Sequence, residues 1–80
     1  METFVGQIQL FAFNYAPKGW LICNGAMLPI EQHVMVYTLL GTTYGGDGQR
    51  TFALPNLVGK EPAPGLVYCI CVEGLFPSRP

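Results

Sequence analysis

Asp47 and Arg50 sit inside a glycine-rich run, GTTYGGDGQR from Gly41 to Arg50, and this run is the first place in the chain to look for chemistry. A carboxylate among glycines invites two readings, a phosphate cradle and a calcium loop. A phosphate loop needs Gly-x-x-x-x-Gly-Lys followed by Ser or Thr, and no such pair occurs here. Calcium needs several oxygen ligands, and Asp47 has no second carboxylate near it. The run reads instead as a tight multiple turn, with Asp47 and Arg50 pairing across it in an exposed contact worth roughly 0–1 kcal/mol. Tyr44, Asp47 and Arg50 are the candidate contact loop.

His33 is the single histidine. General-base work would need a nucleophile and an orienting acid within reach. Glu31 lies two residues away on a different helix face, Ser78 sits in the tail, and Cys23 is the one formal nucleophile left. No enzymatic constellation forms, so neither a catalytic residue nor a cofactor is expected. The cysteines number three, Cys23, Cys69 and Cys71, and an odd count rules out a fully paired framework within one chain. Cys69 and Cys71 lie two apart in a strand-like run and share a face at about 6.5–7 Å, too far for an ordinary disulfide between them. The leading reading is three small buried thiols packed as apolar groups. Bridges from Cys23 to Cys69 or Cys71, or between subunits, are the alternatives. Metal-ligand spacing of the CxxC kind is absent, and no metal site is expected. Trp20, Tyr15, Tyr44 and Phe52 could stack on sugars, although a lone tryptophan after Pro-Lys-Gly is more often a core or interface anchor.

These residues need elements to hold them. Val5 to Phe13 reads as a first strand, with Phe4, Ile8, Leu10 and Ala12 on one apolar face and Gln7 and Gln9 opposite. Phe11 and Phe13 join the outer face, so the distal half is expected to be covered on both sides. Trp20 to Cys23 is a short second strand. Asn24-Gly25 signals a type I′ hairpin, Ala26 to Ile30 returns from it, and Pro29 marks the exit. Glu31 to Leu40 is the one helix, from apolar Val34, Tyr37 and Leu40 with Val36 and Leu39 beside them, and Gly41 stops it. Its β-branched Val34, Val36 and Thr38 weaken intrinsic propensity, so packing must hold it. Thr51 to Leu54 is a further short extended piece. Leu66 to Glu73 is the last strand, apolar on both faces, which places it in the centre of a sheet or between subunits.

Composition bounds what such elements can do. At 80 residues the chain is near the size where one core is only marginally sufficient. Charged residues make up 11% of it, against about 25% in an average soluble domain. One reading is a small domain with a polar, uncharged surface. The favoured one is a subunit that buries apolar surface against copies of itself. With net charge −1 and four cations scattered singly, no basic face exists for nucleic acid. No apolar run approaches the roughly 20 residues of a membrane span. METFVGQIQLF carries an acid where a signal peptide needs bases, so the mature chain is expected to start at or near Met1, made in the cytoplasm without an evident signal peptide.

Three stretches together resemble the phage tail collar family, which includes the bacterial proteins often called microcystin-dependent. They are FVGQIQLFAFNYAPKGWLICNGAMLPI at residues 4 to 30, LLGTTYGGDGQRTFALPNLVGK at 39 to 60, and LVYCICVEGLFPSRP at the C-terminus. The combination of APKGW, CNG, LLGTTYGGDG and TFALPNL is specific, and the likeness covers nearly the whole chain. Family members usually continue well beyond the collar before their terminal strand, and here Lys60 to Gly65 stand in that place. The receptor-binding and metal-binding regions of phage fibres fall in the missing part, so neither transfers.

The resulting expectation is an α+β, small β-rich domain of short strands with one helix. Residues 1–60 are the collar-like domain, 61–65 a Pro/Gly linker, and 66–80 a C-terminal strand and tail packing on the same domain, with the first and last strands near each other. The expected role is a structural, self-assembling subunit of a phage tail fibre, tail-like particle or extracellular filament. Its partners would be copies of itself, as a homotrimer or polymer, or other tail proteins. The alternative is a minimal adhesin or lectin-like module that binds cell-surface glycan. Phe11, Trp20, Tyr68, Ile70 and Val72 are the candidate subunit interface.

Overall fold

The computed structural model describes residues 3–77, so Ser78, Arg79 and Pro80 of the expected tail lie outside the described residues. Five short strands form two antiparallel sheets, with one short α-helix and a 3₁₀ turn. The strands are β1 (Ile8–Phe11), β2 (Trp20–Ile22), β3 (Met27–Pro29), β4 (Thr51–Ala53) and β5 (Val67–Cys71). One sheet has the order β1-β5-β2, and the other pairs β3 with β4. The β-rich α+β class read from the sequence is therefore observed.

β5 comes from the far end of the chain and fills the centre of the larger sheet. Ile8 pairs with Ile70, and Leu10 with Tyr68, on one side. Leu21 pairs with Ile70 on the other. A strand buried on both faces should be apolar at every position, and Cys69, Ile70 and Cys71 are each 0% exposed. The two-sided apolar pattern of Leu66 to Val72 thus marks a central strand, antiparallel to the first.

β1 is shorter than the expected span of Val5 to Phe13. Before it, Gln7 N–H donates to the Phe4 carbonyl at 3.0 Å, closing a turn with Gly6 at φ +90°. Gly6 N–H donates to the Cys71 carbonyl, and Cys71 N–H donates to the Gln7 carbonyl. Two residues thus face one across the ladder, a bulge of the kind that needs a left-handed first residue, and glycine supplies it. Ile8 and Leu10 share a face with core residues Ile70 and Tyr68, yet stay 39% and 37% exposed because β1 is an edge strand.

The expected hairpin at Asn24-Gly25 does not form. β2 and β3 belong to different sheets. A type I′ turn requires positive φ at both central residues, and Asn24 lacks it, since no non-glycine residue among the described residues has positive φ. Asn24 Oδ1 instead accepts the Ala26 N–H at 3.1 Å. Asn24 also bridges Asn56, and Cys23 C=O accepts from Leu57 N–H at 2.8 Å. The chain crosses from one sheet to the other there.

The single expected helix is also divided. Ile30–Gln32 is a 3₁₀ turn, His33 departs from helical geometry at φ −136°, and α1 (Val34–Leu40) follows. Neither segment has a side-chain cap, and α1 is seven residues long; a helix so short persists only through packing. Val36 is buried, with Tyr37 and Leu40 against the core, whereas Val34 and Leu39 point largely to solvent, against expectation. Gly41 ends α1 with φ +58°.

The core joins Val5, Cys23, Val36, Phe52, Leu54 and Ile70. Phe52 to Pro55 is buried throughout, so the short TFALP segment is the bridge between the two sheets. A carboxylate at Ile70 would lie in that core without a partner. The cost of several kcal/mol is a large share of the roughly 4–12 kcal/mol available to a chain this size. Ile70→Asp should therefore abolish cooperative thermal unfolding by circular dichroism, and a native-like melt for that variant would contradict the packing described.

Candidate functional site

The glycine-rich loop is held by its own acid. Asp47 Oδ1 accepts three backbone hydrogen bonds, from Gln49 and Arg50 at 2.8 Å each and from Thr51 at 3.0 Å. Arg50 contributes its backbone N–H to this arrangement, so the expected side-chain pairing across the turn is replaced by a backbone cap. Short polar side chains favour such local bonding in turns. The Arg50 N–H is the first cause, with Gln49 and Thr51 behind it, that holds the Asp47 carboxyl down to about 2 from its ordinary 3.8. The three donors all meet one oxygen, Oδ1, and fix the carboxylate in place at the surface.

Gly46 fixes where this loop lies. A Cβ there would come 2.4 Å from the Phe52 Cα and 2.5 Å from the Thr51 carbonyl oxygen, at φ +99°. Only glycine permits the loop backbone to lie this close to β4. Gly48 N–H donates to Thr51 C=O, Ala53 N–H to Gly45 C=O, and Tyr37 hydroxyl to Gly48 C=O at 3.2 Å. The loop is thereby fastened to both β4 and α1.

Beside it opens a cleft of about 580 Å³ lined by Pro29, Ile30, Glu31, Gln49, Arg50 and Thr51. It offers a carboxylate, a guanidinium, an amide and the Thr51 hydroxyl, groups that can hydrogen-bond a polar ligand. Of the contact loop expected from sequence, Arg50 reaches this cleft, and Tyr44 and Asp47 do not line it. Tyr44 is 51% exposed. Glu31 and Gln49 do not stand out in the sequence; the proline exit at Pro29, which sets β3 opposite Thr51, is the available signal.

The four aromatic residues that could have stacked on sugars do not form one platform. Phe52 is fully buried against Tyr37. Trp20 instead meets Phe11 edge to face, with ring centroids 5.2 Å apart. Phe11 continues to Phe13 at 5.2 Å, and Phe13 to Tyr15 at 4.7 Å. Phe11 and Phe13 are the members of this row absent from the candidate platform, although their i, i+2 relation is visible in the sequence. Among the candidate interface residues, Phe11, Trp20, Tyr68 and Val72 are half-buried, while Ile70 has no exposed surface in the chain.

The thiols of Cys23, Cys69 and Cys71 are free and buried. Burial, and secondarily the neighbouring Cys69, pushes the Cys23 thiol up to about 11, and burial raises Cys69 also. Cys71 Sγ donates to the Glu73 carbonyl at 3.1 Å and lies 3.2 Å from Thr3 Oγ1. Among the described residues no group of three or more His, Cys, Asp or Glu side chains could hold a metal ion. No helix among them is long and apolar enough to cross a membrane.

With this geometry in view, the sequence model of the Phage Tail Collar Domain family matches residues 6–62 of the chain. No curated protein matches it.

Two outcomes follow from the site. The folded Asp47 carboxyl loses its proton more readily than the unfolded one, so its contribution is fully present above pH 3.8 and fades as pH falls through about 2. Asp47→Asn keeps an acceptor but does not titrate. Its melting temperature should decline less steeply over that interval than the wild type's, and parallel declines would show that Asp47 does not hold the loop through its charge. Under native conditions at pH 8 the three thiols should react with Ellman's reagent only as fast as the chain unfolds; rapid titration of any one would show an open thiol.

Proposed function

The chain belongs to the phage tail collar domain family, and on that premise we propose that it is a self-assembling structural subunit of a phage tail fibre, tail-like particle or extracellular filament. The family is structural and not catalytic, and it places the chain in the setting of a phage tail or virion. The step from that setting to self-assembly rests on one observation. Phe4, Ile8, Leu10, Phe13, Tyr15, Met27, Met35 and Leu75 are among the large apolar side chains left exposed, on a chain with 11% charged residues. Isolated exposed apolar groups are ordinary; this many, with so little charge to separate them, suit a surface covered by other subunits.

The loop fits the same reading. Its acid and glycines are occupied in fixing the backbone against β4 and α1, which serves a scaffold better than a flexible recognition loop. Copies of the chain, as a homotrimer or polymer, or neighbouring tail proteins are the partners. Phe11 and Trp20, with the exposed parts of Tyr68 and Val72, remain the proposed contact residues.

Light scattering after size exclusion measures the mass of the native particle. A multiple of the 8.8 kDa chain mass is expected at micromolar concentration, and a monodisperse monomer at high concentration would overturn the subunit reading. That result would move glycan binding to first place, centred on exposed Tyr44 and the glycine-rich loop from Gly45 to Gly48.

A further inference from the structure

The two outer edges of the larger sheet are unlike. In β2, the register and the bonds from Cys23 N–H to Tyr68 C=O and from Val72 N–H to Gly19 C=O turn Trp20 and Ile22 outward. The chain closes part of that edge itself: Trp20 N–H donates to Pro17 C=O at 3.0 Å, and Ile22 C=O accepts from Asn24 N–H at 2.9 Å. In β1, Cys71 N–H donates to Gln7 C=O, so alternation directs Gln9 and Phe11 to β5 and turns Ile8 and Leu10 outward. No described residue meets the outward N–H and C=O groups of Ile8 and Leu10.

Proteins ordinarily guard such an edge with lysine, proline or an inward charge. β1 has none of these. No charged residue occurs anywhere from Thr3 to Pro17. Ile8 and Leu10 carry apolar side chains, 39% and 37% exposed, on the face of Ile70 and Tyr68. The bulge at Gly6 and Gln7 sits at the strand's start and sets where an added strand must stop.

We propose that β1 pairs edge to edge with β1 of a second copy, antiparallel about a two-fold axis through Gln9. The strand is self-complementary in that register. The outward groups of Ile8 meet those of the second copy's Leu10, and the reverse pair follows by symmetry. The apolar side chains of Ile8 and Leu10 then lie together on the core face. Gln9 faces Gln9 on the other side, where two amides can hydrogen-bond each other. The two three-stranded sheets become one sheet continuous across the pair.

The size of the surface favours a second copy as the occupant. The chain exposes 5384 Å², where a folded chain of 8.8 kDa is expected to expose about 4,800 Å². Its radius of gyration, 12.6 Å, exceeds the roughly 11.6 Å of a compact chain of this length in the same sense. The small net charge of −1 raises little repulsion between copies.

This inference rests on the subunit reading above in its polymer form, since a two-fold contact has no place within a homotrimer, and its test must separate the two. Leu10→Pro removes an outward N–H without removing a bond to β5, which an edge strand tolerates. Gln9→Cys places a thiol on the two-fold axis. In Leu10→Pro the concentration for half-assembly, read by light scattering, should rise by about tenfold or more. On mild oxidation, Gln9→Cys should give a covalent dimer on a non-reducing gel, whereas the loop control Gln49→Cys should not. Should circular dichroism show Leu10→Pro unfolded, Leu10→Lys replaces it, with the same expected rise. An unchanged assembly in the folded edge variant, with no cross-link through Gln9→Cys, would overturn the edge contact and leave the subunit reading standing. A wild-type monomer at every concentration would overturn both.

Discussion

Every part of this fold depends on β5 lying between β1 and β2. The two edge strands share no hydrogen bond with each other, and each exists as sheet only because residues from Val67 to Cys71 supply its partner. That contact joins the two ends of the described chain. The entropy of closing so long a loop must be met before the pairing returns any energy, so collapse of the central core has to accompany it. Phe52 and Leu54 are placed to do this, because Leu54 N–H reaches Ala26 C=O while its side chain joins Ile70 and Cys23 in one cluster.

The glycine-rich loop is best understood through that same need. A core of so few large side chains leaves little stability to hold a long surface loop. Asp47 fastens the loop locally, through three backbone donors, and Gly46 allows it to lie against β4 with no side chain between. What looks in sequence like a ligand site is a device for keeping the connection from α1 to β4 rigid. One oxygen of the acid is committed to the loop backbone, and the arginine beside it lines the adjoining cleft.

Periodicity is a good guide wherever one strand face or one strand centre decides the pattern. The two-sided apolar run of β5 identifies a central strand, and Pro29 marks the end of β3. Its failures have two causes. Asn24-Gly25 carries the local signal of a hairpin, but Asn56 and Leu57, more than thirty residues on, compete for the same backbone and draw the chain into a second sheet. The helix at Glu31 to Leu40 has the right spacing, yet its weak propensity lets it break at His33, whose N–H closes a 3₁₀ turn onto Ile30 C=O. Ion pairing between Asp47 and Arg50 follows from charge alone, which does not reveal that backbone donors stand closer. The lost hairpin is a tertiary contact that outbids a local preference and is not legible within a window of the sequence. The other two are local backbone bonds that apolar spacing and charge do not report. The family likeness is legible, because it resides in turn residues whose backbone demands fix their identity.

The difference between the two sheet edges bears on what sort of assembly this chain can build. A contact in which a strand meets its own copy about a two-fold axis closes at two chains. Alone, it gives a discrete pair and not a filament. Extension beyond the pair needs a second, different surface, and the row Trp20, Phe11, Phe13 and Tyr15 lies on the opposite face of the same sheet from Ile8 and Leu10. Aromatic side chains at such a surface supply large contact area at small entropic cost. An uncharged open edge and an aromatic face, held at a fixed angle by one three-stranded sheet, would let an 80-residue chain use separate contacts to pair and to extend. Its depletion of charge then follows from geometry, since two faces of one small sheet must both be free of groups that resist burial.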